Sequence, residues 1–118
     1  MVDIVFEKIY NLIFEEIYYE TPVNKNSEIF RAAAELLDKR GMAREVFKHK
    51  NGKMCLIGAV RQAKHGNTLV RIGADCHAAL QNVTVVSPEV FNDEYARTKR
   101  DLIAVLHIAA DIEQTKGN

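Results

Sequence analysis

SEIFRAAAELLDKRG, residues 27–41, is the stretch that predicts a helical fold for this chain. Its apolar residues recur at the three- and four-residue spacing of a helix face that packs on a core. They are Ile29, Phe30, Ala33, Leu36 and Leu37. Ser27 is a preferred N-cap residue, and Gly41 stands where a glycine most often ends a helix. We therefore predict a helix that is capped by Ser27 and ends at about Arg40.

An aromatic-rich helix is predicted before this stretch, over residues 2–19. Four aromatic residues recur at every fourth position and so stack along one side of it. They are Phe6, Tyr10, Phe14 and Tyr18. Aliphatic residues fill the adjoining surface, and the resulting apolar arc is wider than a helix lying on one surface needs. The helix should be covered on two sides, by its own domain or by a second copy of the chain. Its aromatic side is therefore the predicted interface of a homodimer.

The sequence from residue 42 to residue 63 permits two interpretations. Asn51-Gly52 is typical of a two-residue β-hairpin turn, and the apolar residues on either side could pair as short strands. Against this, four apolar residues match one side of a helix that starts near Lys53. They are Leu56, Ala59, Val60 and Ala63. We expect a loop or a small β-hairpin near residues 45–56 that leads into a short helix.

Two further helices and a short turn complete the secondary-structure prediction. One helix covers residues 68–82, with Leu69 at the start of its inward-facing side. Ser87-Pro88-Glu89 is typical of a capped single turn. The last helix covers about residues 93–114, and its core stripe is Leu102, Val105, Leu106, Ala109 and Ile112. The predicted fold class is mainly α, a compact bundle of about five helices in a single domain that spans residues 1–118.

The composition narrows the class of protein. With 118 residues, 47% of them hydrophobic and 27% charged, the chain is long enough to enclose one hydrophobic core. No apolar run reaches the roughly 18 residues that span a bilayer, and acidic residues interrupt the N-terminal apolar stretch, unlike in a signal peptide. Two cysteines make no disulfide framework, so a cytoplasmic location is expected. Neither C-x-x-C nor H-x-x-x-H spacing occurs, and no metal or cofactor is predicted.

Basic residues are concentrated in one segment, although the formal net charge is zero. Residues 39–64 carry eight basic side chains and one acid, Glu45. This asymmetry can be neutralised by acidic residues elsewhere in the fold, or it can bind an acidic partner or a phosphate. The candidate binding residues in this segment are Arg44, Lys48, Lys50 and Lys53, with Phe47 among them. Such a basic-aromatic mixture is found on nucleic-acid-binding surfaces.

Asn92, Asp93, Arg97 and Thr98 form the most motif-like constellation. In a structural interpretation, Asn92 or Asp93 caps the last helix and Arg97 pairs with Asp93 four residues earlier. In a functional interpretation, Arg97 binds an anion beside the exposed amides of a helix N-terminus. We favour the structural interpretation, because a capping residue needs no ligand to explain it, but we keep Asn92, Asp93 and Arg97 as candidate binding residues.

Cys55 is the candidate nucleophile, because we expect it near a helix N-terminus in basic surroundings, and both features lower the pKa of a thiol. A nucleophile also needs a base, and four histidines could supply one. They are His49, His65, His77 and His107. Sequence does not show which of them lies near Cys55, and small buried cysteines are common. Non-reactive burial is therefore the favoured interpretation of Cys55.

Three short strings in this order resemble a known family. The first is Arg31-Ala32-Ala33-Ala34 with Leu36-Leu37 and Gly41, the second is Cys55-Leu56-Ile57-Gly58-Ala59, and the third is Phe91-Asn92-Asp93 with Arg97-Thr98. Together they resemble a family of small uncharacterised proteins from actinobacteria and their phages, over residues 29–112. The resemblance implies a fold and a phage origin, and it implies no activity.

Three functions follow as hypotheses. The favoured one is a non-catalytic interaction protein, phage-encoded and acting by binding a host protein, because burial and capping explain most residues without a substrate. The second is a nucleic-acid or nucleotide-binding protein that uses the basic residues 40–64. The third is a small enzyme centred on Cys55 or on Asp93 and Arg97.

Overall fold

Five helices and one π-helical turn account for most of residues 25–118, the part of the chain that the computed structural model describes. The elements are α1 (Asn26–Arg40), α2 (Leu56–His65), α3 (Ala74–Thr84), α4 (Pro88–Val90), the π-helical turn (Phe91–Tyr95) that continues α4, and α5 (Lys99–Thr115). No strand occurs in this range, so the prediction of a mainly α bundle is confirmed. The helix predicted over residues 2–19, with its aromatic interface residues, lies outside the described residues.

The core lies between α1 and α5, which pack along each other, and is closed by α2 against α1 and by α3 against α5. The central side chains are fully buried and come from four helices, namely Phe30, Leu37, Leu56, Val60, Leu80, Leu102 and Leu106. Burying each of them contributes roughly 1.5–3 kcal/mol. The predicted core stripe of the last helix is correct except for Ile112, which is 40% exposed. Within residues 25–118, no helix combines the length and apolar character that crossing a membrane requires.

The start of α1 differs from the prediction. Lys25 occupies the N-cap position, and Ser27 lies buried inside the first turn. The backbone N–H of Ser27 donates instead to the C-terminal carbonyl of Asn118 (3.2 Å). Beside this contact, Asn26 Nδ2 donates to a carboxylate oxygen of Glu113 (2.8 Å), a buried acid near the end of α5. The carbonyl of Asn118 therefore supplies a partner for one of the N–H groups in the first turn of α1, which have none within the helix.

The end of α1 is at the predicted residue. Gly41 follows Arg40, and its N–H donates to the carbonyl of Leu37 (2.8 Å). The backbone of Gly41 has φ 91° and ψ 174°, which is an extended conformation with positive φ. Only glycine adopts this conformation without strain, so the chain leaves α1 in a direction that other residues would disfavour.

Residues 41–55 form a hairpin-shaped loop without strands. Gly52 N–H donates to the carbonyl of His49 (2.9 Å) and closes the turn at Asn51-Gly52. Below the turn, His49 N–H donates to the carbonyl of Lys53 (2.7 Å) and Cys55 N–H to the carbonyl of Phe47 (3.2 Å). Only isolated bridges result. The hairpin turn at Asn51-Gly52 is therefore present without paired strands. The helix that was expected to start near Lys53 follows it, beginning three residues later at Leu56.

The helix predicted over residues 68–82 begins six residues late, at Ala74. Gly73 precedes it with φ 91°, a conformation outside the helical region. Residues 66–73 form a loop instead, and Leu69, which was expected to face inward, is 86% exposed. The apolar spacing that continued the helix pattern into this loop was therefore accidental.

The last helix also begins six residues late, at Lys99. Thr98 is its N-cap, with Oγ1 accepting a hydrogen bond from Arg100 N–H (3.3 Å). Asp101, in the first turn, adds a second bond, since its Oδ2 accepts from the backbone N–H of Arg97 (2.7 Å), the residue before the N-cap. The prediction that Asn92 or Asp93 caps this helix is wrong, because both lie in the π-helical turn before it.

Candidate functional site

Asn92 is the central residue of the motif region, and it is 1% exposed. Its Oδ1 accepts a hydrogen bond from the backbone N–H of Leu56 (2.9 Å), the first residue of α2. Its Nδ2 donates to the carbonyl of Ala43 (3.0 Å) and to Asp93 Oδ1 (2.8 Å). One buried amide thus joins the π-helical turn to the start of α2 and to loop 41–55. These bonds satisfy backbone groups that would otherwise be buried without partners.

Arg44 also binds backbone groups, at the end of the π-helical turn. Its Nη1 donates to the carbonyls of Asn92 (2.8 Å) and Asp93 (2.9 Å), and its Nη2 donates to the carbonyl of Ala96 (2.8 Å). The last carbonyls of a helical turn lack partners within it, and the guanidinium fork supplies three donors to them. Arg44, predicted to bind an external ligand, therefore binds the chain itself.

Asp93 and Arg97 are not brought together as an ion pair within the described residues. Asp93 Oδ1 accepts from the backbone N–H of Glu45 (3.0 Å) as well as from Asn92. Arg97 is exposed, and its backbone, not its side chain, bonds to Asp101. The predicted pairing of Asp93 with Arg97 is wrong because the chain turns between them, so they are not successive turns of one helix.

Cys55 is the N-cap of α2. Its Sγ accepts a hydrogen bond from Gly58 N–H (3.2 Å), and the residue is 8% exposed. Burial is the main cause that raises the pKa of this thiol above its ordinary value, and nearby Asp93 raises it further. A cavity of about 230 Å³ adjoins the sulfur, and none of its described lining residues is a histidine. The geometry therefore favours a capping thiol over a nucleophile.

Gly58 explains the glycine of the Cys-x-x-Gly-Ala string. A Cβ placed on it would lie 1.8 Å from the carbonyl oxygen of Phe47. The backbone of loop 41–55 therefore packs directly on α2, at a distance that only glycine permits. Sequence reasoning missed this contact. The available signal was a glycine inside a helical pattern, which costs helix stability and so calls for a packing reason.

Apart from Lys39, Arg40 and Arg44, the basic residues of this segment fall into two groups in the structure. Lys48, Lys50 and Lys53 are exposed around the hairpin-shaped loop, where they remain available to a partner. Arg61 and Lys64 lie on α2 and donate to backbone carbonyls of the loop at residues 66–73. No group of residues in the range 25–118 has the composition and proximity to hold a metal ion.

Arg61 contacts two loops that carry exposed apolar residues. Its guanidinium carbon lies 4.0 Å from the centre of the Phe47 ring, and its Nη1 donates to the carbonyl of Thr68 (3.0 Å). Loop 41–55 and loop 66–73 therefore both reach the same arginine. Their exposed apolar residues, which we name the loop face, are Val46, Phe47, Leu69 and Val70. No sequence pattern indicated this surface, because its two halves are more than 20 residues apart.

Comparison with known proteins adds a family but no function. Residues 21–112 match the family that is described as "Family of unknown function (DUF6197)". This span includes Arg44, Cys55, Gly58 and Asn92. Neither the curated proteins nor the solved structures contain a match to the chain.

Proposed function

This chain belongs to the DUF6197 family, whose function is unknown, and we propose that it is a non-catalytic interaction protein that binds another protein through the loop face. The observation that carries the proposal is the position of Arg61, which places Phe47 beside the loop that holds Leu69. A half-exposed phenylalanine stacked on an arginine has the composition that protein interfaces favour, and the exposed Leu69 adds apolar area beside them.

The exposure of the loop face supports a partner of apolar character. Leu69 is 86% exposed, and Val46, Phe47 and Val70 are each more than 40% exposed. Single exposed apolar residues are ordinary, whereas neighbouring ones mark interaction sites more often. Covering Leu69 alone would contribute roughly 1.5–3 kcal/mol to binding.

The internal bonds of the motif residues also support a non-catalytic role. Asn92 and Arg44 use their side chains to hold backbone groups, and Cys55 uses its sulfur to cap α2. Each of these residue types could carry chemistry, but in this arrangement each has a structural task that accounts for it.

The resemblance to proteins of actinobacteria and their phages supports a narrower form of the proposal. In that form the protein is phage-encoded, acts in the cytoplasm and binds a protein of its bacterial host. A homodimer through the aromatic side of residues 2–19 belongs to the same proposal, and it rests on the spacing of the aromatic residues alone.

Leu69→Asp is expected to abolish binding of the partner, because it places a carboxylate on the most exposed apolar residue of the loop face. In pull-downs from an extract of the natural host, we expect a defined protein to be retained by the wild type. Its recovery should fall about tenfold or more with Leu69→Asp, equivalent to at least about 1.4 kcal/mol. Ile108→Asp is the matched control, because Ile108 is 50% exposed but lies on α5, outside the loop face. Equal recovery with Leu69→Asp and Ile108→Asp would show that the loop face is not the binding surface.

Phe14→Glu tests the homodimer separately. We expect multi-angle light scattering to give a dimer for the wild type and a monomer for Phe14→Glu, because burying an unpaired carboxylate at an interface costs several kcal/mol. Glu15→Lys serves as the control, since Glu15 lies on the predicted polar strip of the same helix. A wild type that is monomeric at all concentrations would refute the homodimer. It would not bear on the proposal that the loop face binds another protein.

The other two functions have less support. A nucleic-acid or nucleotide binder that uses residues 40–64 would rely on the exposed Lys48, Lys50 and Lys53 of the hairpin-shaped loop. The basic residues Arg61 and Lys64 of α2 donate to backbone carbonyls instead. The apolar character of the loop face favours a protein partner over a polyanion. An enzyme centred on Cys55 would need a thiolate, which the burial of Cys55 disfavours.

A further inference from the structure

A groove of about 610 Å³ lies between α2 and α3 beside loop 66–73, and basic side chains dominate its polar lining. Arg61 and Arg71 line it from α2 and the loop, and His77 lines it from α3. The single acid in its lining is Glu89, and Nε2 of His77 lies 3.3 Å from a carboxylate oxygen of Glu89. A volume of this size is typical of small-molecule sites.

Arg61 is held in place before any ligand arrives. Stacking on Phe47 and the hydrogen bond to Thr68 fix its guanidinium. Its Nε is shielded from solvent and has no hydrogen-bond partner in the described chain. A guanidinium that is already ordered loses little conformational entropy when it binds an anion.

Arg71 is presented by a loop that α2 holds at three points. Arg61 donates to the carbonyl of Thr68, Lys64 donates to the carbonyl of Ile72, and His65 Nε2 lies 3.0 Å from the carbonyl oxygen of Arg71. The backbone on both sides of Arg71 is therefore fixed. Neither Arg61 nor Arg71 forms an ion pair with any residue of the range 25–118, because Glu89, the acid in the groove, contacts His77 instead.

The N-terminus of α3 adds positive electrostatic potential to the groove. Gly73 and Ala74 line the groove, and the first backbone amides of an 11-residue helix carry a partial positive charge. Asp75 in the first turn of α3 is not among the lining residues of this groove. The helix end strengthens a site that the two arginines define.

We propose that this groove binds the phosphate group of a small phosphorylated ligand, with Arg61 and Arg71 as its main contacts. Guanidinium groups pair with phosphate oxygens through two hydrogen bonds at once, and the remaining volume has room for an organic group. The site adjoins the loop face at Arg61, but the apolar residues Leu69 and Val70 do not line the groove. It is separate from the exposed lysines around the hairpin-shaped loop.

Isothermal titration calorimetry at low salt tests the proposal with two probes, inorganic phosphate and adenosine 5′-monophosphate. We expect saturable binding of at least one probe to the wild type, and binding about tenfold weaker or more to Arg71→Gln, because a charge-assisted bidentate contact is lost. Arg71 is exposed, so this variant should fold normally, and circular dichroism checks that it does. Tighter binding of the nucleotide than of inorganic phosphate would assign an ester as the ligand, and the reverse would assign free phosphate.

Lys50→Gln is the matched control, because it removes one exposed positive charge outside the groove. Its affinity for either probe should stay within about twofold of the wild type, because Lys50 does not line the groove and so makes no direct contact with a ligand there. Absence of binding by the wild type at millimolar concentrations of both probes would overturn the proposal. An equal loss of affinity in Lys50→Gln and Arg71→Gln would overturn it as well. Neither result would bear on the Leu69→Asp experiment.

Discussion

Gly58→Ala is expected to destabilise the protein by about 2 kcal/mol, although alanine is the better helix former. The added methyl group would stand 1.8 Å from the carbonyl oxygen of Phe47, and a backbone atom cannot move aside as the end of a side chain can. Overpacking of this kind costs typically 1–3 kcal/mol and occasionally more. Alanine gains only about 1 kcal/mol over glycine inside a helix. The steric term therefore decides the sign.

Urea denaturation followed by circular dichroism measures this effect as a lower midpoint with an unchanged m-value. A fall in melting temperature of roughly 10 °C is expected for a domain of this size. Gly117→Ala is the control, because no atom lies within 4 Å of an added Cβ there, and only its φ of 86° opposes the change. That strain costs about 1 kcal/mol. A Gly58→Ala variant as stable as the wild type would show that the loop does not press on α2.

Asn92→Ala is expected to cost about 4 kcal/mol of stability, the largest effect of any single side-chain truncation considered for this protein. It leaves the N–H of Leu56 and the carbonyl of Ala43 without their partner in a buried region. Each buried group left unsatisfied costs about 1–3 kcal/mol, and the lost packing of the amide adds to this. The start of α2 and loop 41–55 should loosen together.

The free energy of unfolding from urea titrations tests this expectation, and hydrogen exchange of the Leu56 amide locates it. Asn82→Ala is a matched control, since Asn82 is exposed on α3 and such substitutions stay within about 0.5 kcal/mol. If Asn92→Ala lost less than about 1 kcal/mol, or left the exchange of Leu56 unchanged, Asn92 would not join these elements. That result would instead support a role for Asn92 in ligand binding.

The sequence predicted which residues belong to the candidate site, but it did not predict how they are arranged. The sequence singled out Asn92, Asp93 and Cys55, because polar and sulfur-containing residues at such spacing can cap helices or carry chemistry. It assigned Asn92 to the wrong helix, since the partners of its side chain are 36 and 49 residues away in the chain. It did not identify Arg61 or Arg71 as a pair, because nothing in a linear pattern shows which two loops will meet.

The sequence by itself determined the helical class, the end of α1 at Gly41, the turn at Asn51-Gly52 and the capped turn at Ser87. These features depend on residues within about four positions of one another, where periodicity, turn chemistry and capping act. Only the tertiary structure shows what Asn92, Arg44 and Arg61 bind. Those contacts depend on which distant backbone groups need partners once they are buried, and the packed chain supplies those partners through Asn92, Arg44 and Arg61.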